Sequence, residues 1–194
     1  MRTRAIHAGQ LIDGTGAEPM EDASIIVEEG RIQGIGPADE MDRADVDETI
    51  DASDRTVMPG IIDGHQHLGF GLDPFQRLRA NLAKGVTTVV GANSGPEGVQ
   101  MREAIASGRM GHAARYFVSA VVGATGGHMH REDDNVAGVD CDGPWEIRRG
   151  VRAMAMEGVD FIKTAASGGF QWPNEKVETE DYTVEELQAL VDEA

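Results

Sequence analysis

Arg55-Thr-Val-Met-Pro-Gly-Ile-Ile-Asp-Gly-His-Gln-His-Leu-Gly-Phe70 is the stretch on which the reading of the whole chain turns. Met58-Pro59-Gly60 is a turn signal, and Ile61-Ile62 opens an apolar run of the kind that forms a buried strand. Side chains two apart on a strand share a face, so Asp63, His65 and His67 are expected to project together. Two imidazoles side by side at the end of a buried strand serve no packing purpose, whereas their neutral nitrogens suit a divalent transition metal. A bare His-x-His is more often a hydrogen-bonded surface pair. The Pro-Gly entry, the apolar approach and Asp63 behind the pair favour metal here.

Downstream of Pro59 the pattern alternates strand and helix, which predicts a parallel sheet covered by helices. Ile61 to His67 reads as the first strand, and Pro74 to Lys84 as a helix closed by Gly85. The β-branched run Val86 to Val90 is a second strand, and Glu97 to Ser107 a second helix closed by Gly108. Arg115 to Val122 is a third strand, followed by the glycine-rich loop Gly123 to His130. Pro144 to Glu157 is helical and closed by Gly158, and Val159 to Thr164 is a fourth strand. Thr183 can cap a last helix, with Glu186 three residues on as its capping-box partner.

Upstream, residues 1–58 read as short strands between turns. Ala5 to Ile12 ends at Asp13-Gly14-Thr15-Gly16, and Ala23 to Glu28 joins Arg31 to Ile35 through a tight hairpin at Glu29-Gly30. Asp39 to Glu48 is acidic and expected as a solvated loop. Thr49-Ile50-Asp51 and Arg55 to Met58 bracket an expected turn at Ala52-Ser53-Asp54. This is too little chain for a sandwich of two full sheets.

The 194 residues carry 34 acidic and 17 basic side chains, a net charge of −17. Such a surface repels nucleic acid and anionic membranes, which argues against both as partners. An acidic, lysine-poor composition also suits a protein kept soluble in high salt, pointing to a halophilic source. Cys141 is alone, so no intrachain disulfide forms and a reducing compartment is expected. Asp140 and Asp142 beside it disfavour a thiolate. His7, Gln10 and Asp13 interrupt any signal-peptide core and no apolar run reaches membrane-spanning length, so a cytoplasmic location is expected.

Two further features carry chemistry. Lys163 ends the fourth strand in Asp160-Phe-Ile-Lys-Thr-Ala-Ala-Ser-Gly-Gly169, on an apolar stretch where a lysine needs a reason. Burial favours its neutral, nucleophilic amine, which can also accept a carboxyl group. A lysine whose stem covers apolar surface while its head reaches water is the equal alternative. Gly126-Gly127-His128-Met129-His130 lets backbone approach a ligand, with a histidine able to hydrogen-bond a carboxylate or carbonyl. A solvent loop running into the acidic stretch Glu132-Asp133-Asp134 is the bland reading of the same residues. His7 and His112 sit in structural or surface contexts.

Pro59-Gly-Ile-Ile-Asp-Gly-His-Gln-His67 resembles the first-strand signature of the amidohydrolase superfamily, and the remainder resembles its imidazolonepropionase-like and prolidase-like branch. The resemblance implies an α/β fold: the first half of a (β/α)8 TIM-like barrel over residues 59–194, preceded by residues 1–58 as part of a small composite β-sandwich whose other strands come from the C-terminal side. It implies His65, His67 and Lys163 as ligands of one or two divalent ions, most often zinc, with Lys163 carboxylated by CO2 and taking part in catalysis. His128 and His130 are then substrate-binding residues, His130 the weaker because the branch often continues with glycine at Met129. The implied activity is hydrolysis of carbon–nitrogen bonds in amides, cyclic amides or Xaa-Pro-like dipeptides by a metal-activated water. The family's further histidines and its general-base aspartate have no counterpart after Lys163. The chain is therefore expected to be a fragment with little activity alone, binding a small-molecule substrate once it joins a homo-oligomer or a complementary C-terminal half. The alternative is a non-catalytic half-barrel that mediates assembly.

Overall fold

A computed structural model describes residues 2–41, 46–68, 73–92, 94–130, 138–170 and 175–194. The acidic run Glu132 to Asp134 lies outside the described residues. The chain divides into two compact units, residues 1–59 and 60–194. Among the described residues no helix is long and apolar enough to cross a membrane.

The first unit is a four-stranded sheet of β1 (Thr3–Leu11), β2 (Met20–Glu28), β3 (Arg31–Pro37) and β4 (Glu48–Val57), in the order β3-β2-β1-β4. The hairpin joining β2 to β3 turns where expected. Glu29 and Gly30 both take positive φ, 49° and 79°, the backbone that matches the twist of the strands it joins. The short helix α1 (Ala38–Met41) opens the stretch expected to be a loop, where Met41 packs over Gly34 and Gly36 of β3. The turn expected at Ala52-Ser53-Asp54 is instead a bulge inside one continuous strand. The parallel β1–β4 ladder runs in register to Ala8↔Ala52 and resumes at Gln10↔Thr56, leaving Gly9 opposite the extra residues. A Cβ at Gly9 would collide with the Ser53 carbonyl, so glycine is what admits the bulge. Ala8, Leu11, Ala23 and Ile25 form this unit's core.

The second unit alternates strand and helix: β5 (Ile61–Gln66), α2 (Pro74–Ala83), β6 (Val86–Gly91), α3 (Gly95–Ala106), β7 (Arg115–Phe117), β8 (Ser119–Gly123), β9 (Gly138–Asp140), α4 (Gly143–Met156), β10 (Phe161–Lys163) and α5 (Val184–Glu193). All its ladders are parallel, in two sheets ordered β5-β6-β7 and β10-β8-β9. Helices α2, α3 and α4 end at Gly85, Gly108 and Gly158, each at positive φ as a helix-terminating glycine requires.

The expected third strand is interrupted at Val118, which divides it into β7 and β8. Asp160 causes the break: its carboxylate accepts the Val118 N–H at 2.8 Å, and its own N–H donates to the Val118 carbonyl at 2.8 Å. Arg102 holds that carboxylate at 2.8 Å. The strand thereby pairs with β6 before the break and with β10 after it. Strand β9 was not foreseen; three residues are too short to give a periodic signal.

Two apolar clusters sit under the helices, one around Leu78, Val89, Tyr116 and Val118, the other around Val122, Ile147, Val151 and Leu190. Contrary to the reading of β5 as a buried strand, Ile61 and Ile62 are 51% and 66% exposed. The reason is position: β5 is the edge of its sheet and pairs on one side only.

Candidate metal centre

Parallel βα units bring the C-terminal ends of their strands to one edge of a sheet, where side chains that follow the strands can converge. His65 lies near the end of β5, His67 just beyond it, and Lys163 is the last residue of β10. Their nitrogens meet. His65 Nε2 is 3.2 Å from His67 Nε2 and 3.3 Å from Lys163 Nζ. Lys163 and His65 also line a small cleft with Gly64, Gly91, Ala92 and Phe161. A larger depression elsewhere, beside Gln10, Glu21 and Arg55, is open, polar and free of histidine and lysine.

Asp63 does not join them. Its carboxylate accepts the backbone N–H of His65 at 3.2 Å, a local turn contact. The register of β5 against β6 breaks between Asp63 and Gln66, so the simple alternation that would align three side chains fails there. The backbone around the pair is fixed from α2. Arg77 donates to the His67 carbonyl at 3.3 Å, and Asn81 to the Gln66 side chain at 2.7 Å.

The electrostatics are those of basic groups crowded together. Burial, then Lys163 and then His65 push the His67 imidazole below its ordinary pKa, and burial lowers that of Lys163. Each group is thus biased toward its neutral, lone-pair-bearing form, the form a metal requires. Two nitrogens about 2.0–2.1 Å from one tetrahedral ion would stand roughly 3.3 Å apart, close to the His65–His67 separation. These residues therefore fit a divalent ion as donors. They do not complete a site: among the described residues no three His, Cys, Asp or Glu side chains gather closely enough to hold one.

His128 and His130 do not join the Lys163 cluster in any hydrogen bond or ion pair among the described residues. His128 Nδ1 is 2.5 Å from Glu175 Oε1, and its backbone N–H donates to Asp181 at 2.8 Å. His130 Nδ1 is 2.8 Å from Asp140 Oδ2. Glu175 and Asp181 were missed in the sequence, because a single carboxylate in a polar stretch carries no spacing signal. Cys141 is buried, and that burial raises its thiol pKa further, in keeping with its exclusion as a nucleophile.

No protein-family model matches the chain. It is 46% identical to an imidazolonepropionase of Rhizobium rhizogenes over 59 residues, 30% of this chain and 14% of that protein. An ochratoxinase of Aspergillus niger is 27% identical over 97% of this chain and 47% of its own. The crystal structure of a Xaa-Pro dipeptidase with bound methionine superposes with a TM-score of 0.81 at 27% identity, covering 99% of this chain and 54% of that one. With the β5 motif, these are likenesses to hydrolases of the amidohydrolase superfamily. It spans about half, or less, of the length of the relatives it matches.

Proposed function

We propose that this chain carries the opening half of the active site of a metal-dependent amidohydrolase, cleaving carbon–nitrogen bonds in amides, cyclic amides or Xaa-Pro-like dipeptides. The observation that carries the reading is the convergence of His65 and His67 from the end of β5 with Lys163 from the end of β10. In this reading residues 59–194 supply the first βα units of a (β/α)8 barrel, and residues 1–58 part of a composite sandwich. His65 and His67 would hold a divalent ion, with zinc the favoured metal on their nitrogen chemistry. Such an ion supplies Lewis acidity to a carbonyl and to water. Lys163, kept toward its neutral amine by burial, would add to CO2 through its Nζ lone pair and lose a proton, leaving an anionic carboxylate as a further ligand. That change also replaces a would-be cation beside His65 with a negative charge, removing the repulsion described above.

Two histidines and one lysine cannot fix two ions and also accept the proton of an attacking water. The remaining ligands and general base are proposed to come from polypeptide beyond these residues, in the same chain, a second copy or a complementary partner. The test is hydrolysis of N-acyl amino acids and Xaa-Pro dipeptides with added Zn²⁺ or Mn²⁺. The 194 residues alone should give little turnover, and addition of the complementary half should give metal-dependent cleavage that Lys163→Ala abolishes. A completed, metal-loaded protein that cleaves none of these bonds would favour a non-catalytic assembly module.

A further inference from the structure

The His128–Glu175 contact joins a half-buried imidazole to a carboxylate that is 3% exposed. The surroundings hold both in place. Gly168 N–H donates to the Thr179 carbonyl at 2.8 Å, Asp181 N–H to the Ala166 carbonyl at 3.2 Å, and Ser167 bridges Glu180. This closure sets Asp181 under the His128 backbone and brings Glu175 to the ring. Gly169 allows the fit, since a Cβ there would collide with His128 Nδ1. Asp181 and Glu175 are the charged groups that touch His128, one at its backbone and one at its ring.

An ionised carboxylate only accepts, so the nitrogen facing it must carry the hydrogen. A neutral imidazole has one N–H, which leaves its other nitrogen with a lone pair. His128 Nε2 has no partner among the described residues, and the loop that bears it follows β8, at the same strand ends as Lys163. We infer that Glu175 is a positioning residue that fixes His128 in its Nδ1–H form, so that Nε2 faces substrate as a hydrogen-bond acceptor for an N–H or O–H. This rests on the hydrolase reading for the substrate, while the Glu175–His128 arrangement stands apart from it.

The test is long-range ¹H–¹⁵N spectroscopy of the histidine rings in the 194-residue chain at pH 8, with His128 assigned through His128→Gln. The wild-type ring should show a protonated Nδ1 and an unprotonated Nε2. Glu175→Ala should shift the ring toward the Nε2–H form, and Glu175→Gln, which keeps an acceptor oxygen, should retain Nδ1–H. A wild-type ring already in the Nε2–H form would overturn the inference, and this holds even if Glu175→Ala fails to fold. So would an unchanged ring in a folded Glu175→Ala protein. Metal-dependent hydrolysis by the protein completed with its other half tests the hydrolase reading instead, so failure of that reading appears there and leaves the ring spectra intact.

Discussion

At the scale of single residues, the site rests on side chains placed where packing alone gives no reason for them. His65 Nε2 lies 3.2 Å from His67 Nε2 and 3.3 Å from Lys163 Nζ, although burial, Lys163 and His65 all disfavour the His67 cation. That chemical oddness is what made them legible in sequence: histidines alternating after Pro-Gly, and a lysine ending an apolar strand. Glycine carries constraints of a different kind. Gly169→Ala should cost about 1–3 kcal/mol, as overpacking does, because the new Cβ meets the His128 ring. Urea unfolding would measure this, and an unchanged midpoint would mean the ring moves aside freely. The partners of His128 could not be read in advance, since Glu175 lies 47 residues away and only the closed segment joins the two.

At the scale of elements, boundary signals in the sequence match their physical causes. Thr183 and Glu186 form the capping box of α5: Thr183 Oγ1 accepts the Glu186 N–H, and the Glu186 carboxylate accepts the Thr183 N–H at 2.8 Å. The same carboxylate also accepts the Gly143 N–H at 2.8 Å, tying the start of α5 to the start of α4. Thr183→Ala should therefore lower stability by about 1 kcal/mol, read from chemical denaturation. The Thr183 backbone bond, then its hydroxyl, then Gly143 hold the Glu186 carboxyl below its ordinary value of 4.5. Because the folded pKa is depressed, this contribution is complete above pH 4.5 and is lost as pH falls through the lower folded value. Glu186→Gln should flatten the acid limb of the stability curve, and a limb of unchanged slope would count against the assignment. In the core, fully buried Leu78 should cost about 2–5 kcal/mol on replacement by alanine, as seen in the unfolding midpoint. The β7–β8 break and the β4 bulge were illegible for one shared reason. Both depend on a residue distant in sequence, Asp160 in one and Gly9 in the other, acting on an apparently continuous strand.

At the scale of the whole molecule, the alternation of strand and helix after Pro59 was readable because α2, α3 and α4 each close on a glycine and β6 is a β-branched run. The exposure of Ile61 and Ile62 was not, because burial of an edge strand depends on what lies beside it rather than on its own pattern. The central claim is that His65 and His67 bind a metal through convergent imidazoles, and elemental analysis tests it most directly. The protein, joined with the complementary half and dialysed against excess chelator-free buffer after loading, should retain Zn²⁺ or Mn²⁺ stoichiometrically. The His65→Ala/His67→Ala double variant, shown to be folded by circular dichroism, should retain none. Equal metal content in the two proteins would contradict the account.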